Sequence, residues 1–143
     1  MGSSTLAEFV RMGGPLRGPA LHRVAVRCAA AMLHTTVHTT SGVRLRPDEV
    51  ALGPGGQVLV GCASAGEPAD DVRAWADLVV FAATGAADGD VRVLPPVLRI
   101  AVERCRHPSA ASRPRAADLV RVLLGRSVAA AMASVDDLLS RAG

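Results

Sequence analysis

Apolar residues recur at helical spacing along most of the chain. From Gly18 to about His38, Leu21, Val24, Ala25, Cys28, Ala31, Met32 and Thr35 form a stripe, and Arg23 and Arg27 lie off it. Ser3 to Met12 reads as a shorter helix with Ser or Thr capping, broken by Gly13-Gly14-Pro15. Thr39 to Pro47 reads as irregular. Two short apolar runs follow, Glu49 to Leu52 and Gln57 to Val60, with Gly53-Pro54-Gly55-Gly56 between them; this is a hairpin signal. Ala63 to Pro68 reads as a loop. Asp70 to Ala83 predicts a helix with acidic residues at its amino end, where they favour the macrodipole, and a stop at Thr84-Gly85. From Trp75 to Ala83 it is apolar nearly all round except for Asp77, which marks it as the buried centre. Leu94 to Arg104 (started by Pro95-Pro96), Pro114 to Leu124 and Ser127 to Ser140 predict three more helices. The expected fold is mainly α with one small β-hairpin. Residues 1–125 would form one domain, and 126–143 a further helix packing on or extending it.

Composition narrows the class. Half of the 143 residues are hydrophobic, but the aromatics are only Phe9, Phe81 and Trp75, so the core must be aliphatic. All sixteen basic residues are Arg; the chain has no Lys and no Asn. That bias, with abundant Ala, Gly, Val and Pro, suggests a high-GC bacterial genome. Net charge is +3, and the Arg residues are scattered or in pairs. No basic run interleaved with aromatics marks a nucleic-acid surface. The longest apolar run, Leu78 to Ala87, is too short to span a bilayer. Three Cys without a CxxC, and no signal peptide, lead to the expectation of a reduced, cytoplasmic setting.

Local chemistry is sparse. His34 and His38 stand four apart, as metal-binding pairs do, but no third ligand is placed by sequence; a partly buried or surface pair is the better reading. Cys105-Arg106-His107 puts a nucleophile and a base too close together in sequence to meet. Cys28 and Cys105 read as small core hydrophobes, and Cys62 as a more exposed thiol. Gly61-Cys62-Ala63-Ser64-Ala65-Gly66 lacks the spacing of a nucleophile elbow. The Gly53 to Gly56 run precedes a strand, so it is a turn and no phosphate cradle. No cofactor or metal is expected.

Four segments in order carry a family resemblance. They are Thr5 to Val10 with Gly14-Pro15-Leu16; Leu45-Arg46-Pro47 with Val50 to Gly56; Asp71-Val72-Arg73-Ala74-Trp75 through Phe81 to Gly85; and Cys105 to Pro108 with Arg113 to Leu119. Together they resemble the carboxy-terminal lobe of actinobacterial Ser/Thr protein kinases from about Thr5 to Leu124. The third segment is the most specific, with Asp-Val at its start, Trp four residues after the Asp, and Ala-Thr-Gly at its end. The resemblance implies a kinase-like lobe without the amino-terminal lobe. It makes Asp71 the central-helix acid that accepts hydrogen bonds from the catalytic-loop backbone. It makes Arg113 the partner of an activation-segment Glu, with Glu67 as the nearby candidate.

The departures from the family pattern fall on its chemistry. Aligned on Leu45-Arg46-Pro47, the catalytic-base position is Arg44, and a cation cannot accept a hydroxyl proton. The metal-binding Asn position is Glu49, and the Asp-Phe-Gly Asp position is Cys62. The stretch between Ser64 and Asp71 is too short for a substrate-binding activation segment. Base, metal ligands and phosphate-binding Lys are lost, while the fold-holding Asp71, Trp75 and Arg113 remain. The resemblance therefore implies a catalytically inactive, pseudokinase-like module, no enzyme, acting on a protein partner or as a homodimer. Nucleic acid and membrane are not expected partners. The alternatives are one half of a split kinase and a decaying gene fragment.

Overall fold

In a computed structural model the structure describes residues 4–38, 42–53, 57–63 and 67–125, with the backbone alone for 36–38, 62 and 63. Nearly all of the amino-terminal helix's orphan amides find a partner. Helix α1 (Leu6–Gly13) is capped by Thr5, whose hydroxyl accepts from the Glu8 amide at 3.1 Å while the Glu8 carboxylate reaches back to Thr5. The next free amides, of Leu6 and Ala7, donate outward to the carbonyls of Val50 (2.8 Å) and Pro47 (2.9 Å). The helix thus starts later than Ser3, because Ser4–Thr5 forms a short strand, β1, instead.

Helix α2 (Gly18–His38) has the predicted bounds, and Leu21, Val24, Ala25, Cys28 and Met32 are buried as the stripe requires. Thr39 to Pro47 is not wholly irregular. Strand β2 (Gly42–Arg44) pairs antiparallel with β5 (Gly61–Ala63), in the register Val43 opposite Cys62 and Arg44 opposite Gly61. The predicted hairpin is present as β3 (Ala51–Leu52) and β4 (Val58–Leu59), and β1 adds a third strand in the order β1-β3-β4. Strands of two or three residues lie below the length at which alternation is visible, so β1, β2 and β5 carried no pattern of their own.

Helix α3 (Pro68–Thr84) packs against α2 and against α4 (Pro96–Cys105). Val72, Trp75, Ala76, Leu78, Val79, Val80 and Ala82 are all buried, so this helix is the centre of the core; Phe81 is half-buried. It ends as predicted: Gly85 adopts φ +89°, which an L side chain resists, and its amide donates to Phe81. A tight 3-10 turn over Val91–Val93 leads into α4. Residues 116–125 form α5, starting two residues after Pro114. The helix predicted for Ser127 to Ser140 and the turn predicted at 54–56 lie outside the described residues. The described chain is mainly helical with small antiparallel sheets, and no helix in it is long and apolar enough to cross a membrane.

Candidate functional site

The amino end of α3 and the β2–β5 ribbon hold most of the residues singled out in the sequence. Pro68 opens α3, and Asp70 and Asp71 fall in its first turn. The Asp71 carboxylate accepts a hydrogen bond from the Val43 backbone on β2, so the central helix grips the strand that leads into Leu45-Arg46-Pro47. Burial pushes the Asp71 carboxyl above its ordinary value; the Val43 hydrogen bond opposes this, and the neighbouring Asp70 charge adds to it.

Beyond Val43 the chain turns. Leu45 and Val50 are buried and anchor the loop, while the amides of Glu49 and Val50 both donate to the Arg46 carbonyl. Arg44 and Glu49 are exposed, and among the described residues they form no ion pair with one another. The ribbon brings residues 44 and 62 close, because Cys62 lies opposite the residue before Arg44. The only charged side chain on this strand pair is thus a guanidinium, which is permanently protonated and donates hydrogen bonds only. It can bind an anion; it cannot act as a base.

Arg113 is the second fixed point. Its side chain is only 6% exposed. The guanidinium donates to the His107 carbonyl (2.8 Å) and to the Ala69 carbonyl (3.0 Å), joining the loop before α5 to the start of α3. Its nearest carboxylate is Asp70 at 3.7 Å, and not Glu67. The expected partner was wrong by one helical turn: Glu67 is the residue before the helix, whereas Asp70 projects from its first turn toward Arg113. A cavity of about 720 Å³ opens beside this clamp, lined by Met32, Leu33, Pro68 and Val72 with Asp71 and Arg113.

Trp75, the third structural residue, is fully buried and donates its indole N–H to the Ala25 carbonyl of α2 at 2.9 Å. Sequence reasoning missed the pair that explains Asp77. This one acid of the apolar stretch from Trp75 to Ala83 meets Arg106 at 2.8 Å, and Arg106 also donates to the Ala87 carbonyl. Cys105-Arg106-His107 therefore divides three ways. Cys105 points into the core, Arg106 reaches α3, and His107 is exposed with its ring Nδ1 accepting from the Ser109 amide. Burial pushes the thiols of Cys28 and Cys105 up to about 12, so both behave as hydrophobes. His34 is exposed on α2, the His38 and Cys62 side chains lie outside the described residues, and among the described residues no group of three ligands could hold a metal ion. Neither a protein-family model nor a curated protein sequence matches the chain.

Proposed function

We propose that this chain is a catalytically inactive, kinase-like module that works through protein–protein contact, either with a partner or with a second copy of itself. One observation carries the reading: Asp71 of the central helix holds the backbone at Val43, next to Arg44, the position where the resemblance requires a catalytic base. The support expected of a catalytic loop is kept, and a guanidinium stands where the base would be. The antiparallel pairing of β2 with β5, the Trp75 to Ala25 bond and the buried Arg113 support the same assignment.

Inactivity follows from residue chemistry. Arg44 takes no proton, Cys62 replaces a hard carboxylate ligand for magnesium, and no Lys exists anywhere in the chain to meet a nucleotide phosphate. A split kinase is the weaker reading, since a complementing chain cannot replace Arg44 or Cys62. Calorimetry with ATP and magnesium tests the proposal. The expected result is no binding heat and no phosphoryl transfer. Saturable micromolar binding that disappears in a Glu49→Ala variant would overturn it.

A further inference from the structure

Charge is divided unevenly along the chain. No acidic residue lies between Glu8 and Asp48, and six Arg fall in that interval, at 11, 17, 23, 27, 44 and 46. The interval therefore carries +6 of a net +3, and the rest of the chain carries −3. Among the described residues this excess is not neutralised. Among the described residues only Arg46 of the six has an ion pair, with Asp48. Elsewhere Arg92, Arg99, Arg106, Arg113 and Arg121 each meet a carboxylate at 2.8–3.7 Å.

Helix α2 organises part of the excess into a line. Its inner positions are buried against α3 and β2, and its exposed positions Ala20, Arg23, Arg27, Ala30 and His34 recur three and four residues apart. They share one face of a helix about 31 Å long, with Arg23 and Arg27 about 6 Å apart along it. Apart from the two guanidiniums and His34, these positions carry only the methyl groups of Ala20 and Ala30. A second helix could lie against such a surface at an axis separation of about 8 Å.

We infer that the outer face of α2 docks an acidic α-helix of a protein partner, with carboxylates one turn apart on that helix received by Arg23 and Arg27. Planar guanidinium forks suit paired carboxylates, and i, i+4 spacing on the partner matches i, i+4 spacing here. A membrane surface fits less well, because among the described residues the large exposed apolar side chains (Phe9, Met12, Leu59, Val93, Ile100, Val122 and Leu124) all lie off this helix. Nucleic acid fits less well too, since the face is one narrow line with no aromatic for stacking. Exposed ion pairs contribute little affinity singly, so the surface would act mainly on encounter rate and register, and its effect would fade with salt.

This inference names the partner chemistry of the interaction module proposed above and so rests on that reading. The test is fluorescence anisotropy on the full chain at low salt. The probe is a labelled Ala-rich helical peptide of about 20 residues, long enough to hold helix, with Glu at i, i+4 on one face. Saturable binding is expected. It should weaken about tenfold in Arg23→Glu with Arg27→Glu, and hold in Arg73→Glu with Arg104→Glu, two exposed Arg whose replacement changes net charge equally. A Lys-for-Glu peptide should rescue binding to the first variant, which shows that it is folded. Equal loss in both variants, no saturable binding, or tighter Arg23- and Arg27-dependent binding to single-stranded DNA or to phosphatidylserine vesicles would overturn the inference. ATP binding would sink the functional reading and leave the peptide result standing; failure of the peptide would leave the ATP result unaffected.

Discussion

Asp71 holds a carboxylate half inside the protein, and its two neighbours pull in opposite directions. The Val43 amide favours the charged form, while burial and Asp70 disfavour it and prevail. The native state then holds this proton more tightly than the unfolded chain does. The Asp71 contribution to stability is fully present below the ordinary aspartate value and is lost as pH rises through the raised native value. An Asp71→Asn variant keeps the acceptor oxygen and loses the titration. Urea unfolding across the acid range should show wild type losing stability relative to the variant as pH rises; a constant difference would refute the assignment. Trp75 is a simpler case. Trp75→Phe should destabilise by about 1–2 kcal/mol, through the lost hydrogen bond to Ala25 and some lost volume, and Trp75→Ala by about 3–5 kcal/mol. Circular dichroism must report both, because Trp75 is the chain's one tryptophan.

The elements depend on their ends. The carboxyl end of α3 is held by Thr84, whose hydroxyl donates to backbone carbonyl oxygen at Val80 or Ala86 and accepts from the Ala86 amide. Gly85 then turns the chain in the left-handed region. The Ala-Thr-Gly ending is thus a stop with a physical cause. The start of α1 does more, because its first amides hold the loop at Pro47 and Val50. Thr5→Ala should cost about 1 kcal/mol through the cap alone. It should also speed hydrogen exchange at the Leu6 and Ala7 amides, which bond that loop. Arg113→Ala leaves two carbonyls short of a charged donor, and a loss of about 2–3 kcal/mol is expected in thermal or urea unfolding.

At the scale of the molecule, the core is aliphatic and closed around α3, but not all apolar surface is inside. Met12 is 88% exposed and Phe9 44% on α1, and Leu59 is 55% exposed on β4. Three large apolar side chains near one sheet and its flanking helix suit a contact surface. The proposed interaction role therefore expects self-association of the pure chain. Light scattering should give a mass above that of the 14.7 kDa monomer, and Phe9→Ser with Met12→Ser should reduce it. A monomer in both cases would leave a heterologous partner as the only form of the proposal.

What the sequence determined by itself is the set of elements long enough to show a period. The 21-residue α2, the apolar α3 with its Thr84-Gly85 stop and the Gly-flanked hairpin were legible because spacing and turn chemistry are local properties. The positions of Asp71, Trp75 and Arg113 were legible as a pattern, but what each one holds was not. The partners lie 28, 50 and 44 residues away, at Val43, Ala25 and Ala69, and two of those three contacts end on backbone carbonyls, which every residue has. No side-chain type could point to them. Only the tertiary structure decided that Asp70 and not Glu67 faces Arg113, that Asp77 meets Arg106, and that Gly42–Arg44 is a strand. A strand of three residues forms because a second strand is brought beside it, and that is a property of the packed molecule and not of the segment.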